Sequence, residues 1–135
     1  MRKRTFTCGF DAALAVVGGK WKILILWALH CEGPLRFGAL RRAVDGISER
    51  VLINQLKEME ASQLVHREEF PQVPPKVEYS LTAFGTSLLD VLMPLGEWGT
   101  ANMERIASLG AGGAGAGGRE EVPVRPRPRR GDGLR

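Results

Sequence analysis

Apolar and polar positions change their spacing from segment to segment along this 135-residue chain, and each change predicts an element. Phe10 to Val17 reads as a short helix stopped by Gly18-Gly19. Trp21, Leu24, Ile25, Trp27, Ala28 and Leu29 then give near-continuous apolarity, which predicts a helix buried on most sides and ended by Gly33-Pro34. Phe37, Leu40 and Val44 recur at helical spacing and predict a third helix with one apolar face. Asp45-Gly46 is a turn signal and Ser48 a helix N-cap, opening a fourth helix from Glu49 to about Ser62. Its core stripe is Leu52, Leu56 and Met59, and its opposite face carries Arg50, Ile53, Asn54 and Lys57.

From Leu64 the period falls to two. A strand near Leu64–Phe70 leads to a tight Pro74-Pro75-Lys76 tip and a return strand Val77–Leu81, with Val65, Val77, Tyr79 and Leu81 on the buried face. Thr82 caps a last helix carrying Leu88, Leu89, Leu92, Leu95, Trp98 and Met103, which Pro94, Gly96 and Gly99 should bend or interrupt. That helix is too apolar for a lone surface helix, which points to packing against another chain. A helix followed at once by a two-stranded ribbon with a basic tip is the outline of a winged helix-turn-helix, an α+β fold that lays one helix in the major groove of DNA.

Composition limits rather than extends this picture. The chain is 44% hydrophobic, enough for one core. Its net charge of +4 is unevenly placed, because residues 1–118 hold 13 Lys/Arg against 12 Asp/Glu. Bulk basicity is therefore weak support for nucleic acid, and a DNA-binding reading must rest on where charges fall. Residues 1–109 read as the folded domain. From Gly110 a Gly/Ala run and a Pro/Arg tract (110–135) cannot bury enough surface to offset ordering entropy, so a disordered tail is expected. Its arginines either add salt-sensitive DNA affinity or only solubilise. No run approaches the ~18 apolar residues of a membrane span. Arg2-Lys3-Arg4 lacks the long apolar segment a signal peptide needs. The expected location is the cytoplasm, with no membrane partner. Two cysteines, Cys8 and Cys31, argue against a disulfide framework there.

The candidate chemistry lies on the fourth helix and the ribbon. Ser48 and the free N–H groups of the helix start can donate to a phosphate. Arg50 suits guanine, Asn54 adenine and Ile53 a thymine methyl, with Lys57 on the same face. Arg36, Arg67 at the ribbon base and Lys76 at its tip complete the candidate DNA-contact set. Each residue alone could equally be part of a solvated surface; their order on one helix and one ribbon favours DNA. The three tryptophans could line a ligand pocket, but aromatics at helical spacing more often pack in the core. Cys31, at the end of a buried helix, is also expected in the core. His30 and His66 lack partners at metal-ligand spacing, and the Gly-rich run lacks the Lys-Ser/Thr of a phosphate loop. Neither a cofactor site nor a catalytic set stands out, so an enzyme is not expected.

The quoted motifs also carry a family resemblance. Gly18-Gly19-Lys20-Trp21-Lys22, Gly33-Pro34-Leu35-Arg36-Phe37, Gly46-Ile47-Ser48-Glu49-Arg50, Pro74-Pro75-Lys76-Val77-Glu78-Tyr79 and Leu95-Gly96-Glu97-Trp98-Gly99 resemble the HxlR family of bacterial regulators, related to the MarR type. The resemblance covers roughly residues 8–105. It implies a homodimer with N- and C-terminal dimerisation helices and a pseudo-palindromic double-stranded operator. In several similar regulators an N-terminal cysteine senses quinones, aldehydes or oxidants. Cys8, behind three basic residues and before a helix start, is therefore a sensing candidate, with a packing role at a dimer interface the equal alternative. The chain departs from the pattern in three places. Cys8 is followed by Gly9 instead of proline, Ile53 stands where a polar residue is usual, and Gln63 replaces a glycine before the first wing strand. If Gln63 takes a left-handed geometry, it adds strain that glycine avoids.

The resulting expectation is a sequence-specific DNA-binding regulator, read as a repressor, whose small-molecule effector the sequence does not identify. One rival is a winged helix that binds protein through the same face, against which the cations of that face argue. The other is a regulator answering a small ligand without redox sensing.

Overall fold

The computed structural model describes residues 3–112. Elements follow in the order α1 (Gly9–Val17), α2 (Lys20–Glu32), β1 (Leu35–Arg36), α3 (Phe37–Ala43), α4 (Glu49–Ala61), β2 (Val65–Phe70), β3 (Lys76–Leu81), α5 (Ala83–Ala101) and α6 (Met103–Gly112). The chain forms two compact units, one running to Trp98 and one beginning at Gly99. The fold is the expected α+β winged helix type.

In the first unit, a Gly18-Gly19 pair with φ of 44° and 86° lets α1 and α2 meet at a 73° bend. The core gathers Ile25, Leu26 and Leu29 of α2, Leu40 of α3, Leu52, Leu56 and Met59 of α4, and Leu64, Val65 and Leu89. Leu40 of α3 and the Leu52, Leu56 and Met59 stripe of α4 are those that helical periodicity marks, whereas the near-continuous apolarity of α2 marks no stripe. Truncating one of them to alanine costs about 2–5 kcal/mol by lost burial and the cavity left behind. Val44 and Ile47 are buried in the turn between α3 and α4, where Gly46 has φ 81°. Among the described residues, no single helix is long and apolar enough to cross a membrane.

The sheet has the order β1-β3-β2, with both pairings antiparallel. β2 and β3 form the ribbon, from Val65 opposite Leu81 to Phe70 opposite Lys76. Its base is fixed to the start of α5. The Thr82 hydroxyl donates to the carbonyls of Gln63 (2.5 Å) and Leu64 (3.1 Å) and accepts from the Gly85 N–H at 2.9 Å. Gly85 is required there, because a Cβ would come within 2.1 Å of the Leu64 carbonyl oxygen. Gln63 has φ 61°, the left-handed geometry for which glycine is the unstrained residue.

Several expectations are corrected. Leu35–Arg36 forms a short strand against Tyr79 and Glu78, which no periodicity in two residues could announce. α2 is not buried on most sides: Leu24, Trp27 and Cys31, at helical spacing, face out. Cys31 is thus not a core residue, and Trp27 and Trp98 are exposed, whereas Trp21 packs against the core. Both cysteines are free thiols. The ribbon turn spans residues 71–75, so Lys76 starts β3 instead of forming the tip. α5 runs unbroken through Pro94, Gly96 and Gly99, and the break falls at Asn102.

In the second unit, α6 is opened by an Ile106 N–H to Asn102 carbonyl bond of 2.9 Å, and its Met103, Ile106 and Leu109 are exposed. α6 extends to Gly112, past the position where the sequence suggests the tail begins. The tail beyond it, residues 113–135, lies outside the described residues.

Candidate nucleic-acid interface

α4 begins where the sequence places it. Ser48 is extended (φ −77°, ψ 156°), and its hydroxyl accepts from the Val51 N–H at 3.2 Å, an N-cap worth about 1 kcal/mol. Because Leu52, Leu56 and Met59 are buried, the geometry of a helix turns Arg50, Asn54 and Lys57, spaced four and three apart, away from the core. All three are exposed, as is Ile53 at 38%. An apolar residue this open on a polar stripe suits contact with a methyl group more than it suits water.

Two of the three acids of α4 are paired from outside the helix. Glu49 faces Arg41 of α3 at 3.8 Å, and Glu58 accepts from the Lys22 ammonium of α2 at 2.5 Å. Arg50 and Lys57 have no ion pair among the described residues, so their charges are available to a ligand. The ribbon differs. Arg67 pairs with Glu69 at 2.8 Å and Lys76 with Glu78 at 2.8 Å, each two residues along the same strand face. Hydrogen bonds to Glu69 and then Tyr79 raise the Arg67 pKa above its ordinary value. Lys76 also lies 4.8 Å over the Phe70 ring, its cross-strand partner. Arg36 is exposed on β1, in register with Glu78.

The structure therefore brings Arg50, Ile53, Asn54 and Lys57 onto one face of α4, with Ser48 at the helix N-cap. Arg36, Arg67 and Lys76 lie on the three strands of the sheet, with their carboxylate neighbours. Cys8 stands apart at the N-cap of α1, exposed and making no side-chain cap bond. Sequence reasoning misses the pairing of Lys22 and Arg41 with acids of α4. The ribbon pairs were accessible, since Arg67-x-Glu69 and Lys76-x-Glu78 share a face by the strand period of two.

A model of the HxlR-like helix-turn-helix family matches residues 16–107. The HTH-type transcriptional regulator YkvN of Bacillus subtilis is 48% identical over 96 residues, covering 71% of this chain and 80% of that protein. Among solved structures, the redox regulator HypR in its reduced form is similar at 42% identity and a TM-score of 0.68, covering 75% of this chain and 99% of that one. Diamide-treated YodB from B. subtilis is 33% identical with a TM-score of 0.60, covering 72% of this chain and 96% of that one.

Proposed function

The chain belongs to the HxlR-like helix-turn-helix family of transcriptional regulators, and from that premise we propose that it binds a pseudo-palindromic DNA operator as a homodimer and represses transcription. The observation carrying this reading is the exposed row Arg50, Asn54 and Lys57 behind the Ser48 cap, with the acids beside it balanced by Lys22 and Arg41. In this reading Ser48 and the start of α4 hold a phosphate, while Arg50, Ile53, Asn54 and Lys57 meet base edges. Arg36, Arg67 and Lys76 follow the flanking backbone, and the site of action is cytoplasmic DNA. Exposed apolar residues on α1 (Phe10, 82%; Leu14, 68%) and α5 (Val91, 70%; Leu95, 54%) support pairing of two copies through those helices. Mobility-shift titration of the full chain against duplexes from its own promoter region tests the reading. The expected result is a sequence-selective, salt-sensitive shift, and its absence overturns DNA binding. Light scattering should give twice the chain mass; a monomer overturns the homodimer.

Cys8 supplies the signal in this proposal. HypR is a redox regulator, and Cys8 is an exposed free thiol at the start of a helix assigned to the dimer interface. Its oxidation, or alkylation by a quinone or aldehyde, would shift α1 and change how two recognition helices fit their half-sites. If Cys8→Ser leaves the cellular response to these agents intact, the signal acts elsewhere, as a small ligand sensed without thiol chemistry would.

A further inference from the structure

Lys22 is out of place by every local rule. It lies in the first turn of α2, where the helix dipole disfavours a cation and no acidic residue compensates. The residue is only 7% exposed. Its ammonium crosses to α4 and donates to Glu58 Oε2 at 2.5 Å. On its other side it rests against the end of α1, where a Cβ on Gly18 would lie 3.2 Å from Nζ. Gly18 is the left-handed C-cap of α1, so the ammonium also sits near that helix's negative dipole end. One buried charge thus meets three helices. Among the described residues, it makes the one side-chain ion pair or hydrogen bond joining α2 to α4.

Glu58 is four residues after Asn54 and one after Lys57, on the flank of the stripe assigned above to base contact. We propose that Lys22 is a positioning residue: through Glu58 it sets the rotation and depth of α4 against α1 and α2, and it shields the operator from a carboxylate beside the reading face. The proposal rests on the DNA-binding reading for its purpose. The mechanical part stands on geometry. The Glu58 side chain is 59% exposed, so the burial that matters is that of the ammonium alone: it is left unsatisfied when the carboxylate is lost, and the pair resists separation more than one exposed on both sides does. Apolar packing alone fixes a helix less uniquely, because side chains can repack around a small rotation.

The test uses the full chain with Glu58→Gln, Lys22→Met and the double variant. The DNA probes are the duplex that wild type enriches from a random library and a scrambled duplex of equal composition. Positioning predicts that Glu58→Gln lowers the ratio of enriched to scrambled affinity by at least about threefold, with a non-additive double variant. A carboxylate acting only by charge predicts tighter binding to both duplexes by one factor, with the ratio unchanged. That result overturns the proposal. Hydrogen exchange on the free proteins gives a second readout. Amides of residues 55–61 should exchange at least about fivefold faster in Glu58→Gln, while those of Leu26 and Leu29 hold. Unchanged α4 exchange overturns the joint even if Lys22→Met fails to fold. If wild type enriches no duplex, the DNA reading fails and the exchange result alone judges the joint.

Discussion

Helix α4 and the β2–β3 ribbon carry the same formal charge, two basic and three acidic side chains each, yet they present it in opposite ways. On α4, Glu49 and Glu58 are held by Arg41 and Lys22 from neighbouring helices, which leaves Arg50 and Lys57 open. On the ribbon, Glu69 and Glu78 hold the ribbon's own cations, Arg67 and Lys76, and Glu68 stands opposite Glu78. Composition therefore says little about which element should dominate DNA binding; the origin of each counter-charge decides it. If the proposed operator binding holds, the expected outcome is that the helix carries most of the affinity and selectivity and the ribbon contributes a weak, adjustable contact.

The largest effects should follow changes on the open face. Arg50→Ala or Asn54→Ala should each relax preference at one base pair per half-site by about 1–3 kcal/mol, measured by competition with point-substituted duplexes. An equal loss on all sequences would reassign the residue to backbone contact. Next in size, Ser48→Ala removes the α4 cap. It should cost about 1 kcal/mol, lowering Tm by about 4–8 °C for a domain of this size. Gln63→Gly exchanges left-handed strain for chain entropy at the ribbon base, and a thermal melt should show a gain of no more than about 1 kcal/mol. The smallest change, Glu78→Gln, is the most diagnostic. Freeing Lys76 should strengthen binding to all duplexes slightly and steepen the salt dependence, whereas Lys76→Ala should flatten it by about one unit or less. Weaker binding by Glu78→Gln would break the contrast between helix and ribbon.

Where a single side chain repeats with a period, the sequence was sufficient. The Leu52, Leu56 and Met59 stripe and the Ser48 cap appear where the sequence puts them, and Val65, Tyr79 and Leu81 meet the core; Val77 does not, because all six residues of β3 are half-buried without alternation. The left-handed Gln63 was legible because glycine's absence at that place is itself a signal. What escaped was set by contacts distant in sequence. β1 exists because β3 offers it a free edge, and two residues are too few to show a pattern. Cys31 and Trp27 lie on the side of α2 turned from the core, which uninterrupted apolarity conceals. Lys22 and Glu58 are 36 residues apart, and although a cation in the first turn of α2 is locally unfavourable, nothing local names its partner. Pro94 gave the wrong break because a helix can lose one internal bond where its neighbours keep the path.

The anchor at Thr82 also has a mechanical meaning. The ribbon is two six-residue strands, about 20 Å long at ~3.3 Å per residue, and its root is bonded to the first turn of α5. A rotation of that first turn by about 10° carried through a rigid root would sweep the far end of the ribbon by ~3–4 Å, more than the reach of a hydrogen bond. The Thr82 hydroxyl is thus the fulcrum of a lever: its short arm is the first turn of α5, and its long arm is the far end of the ribbon.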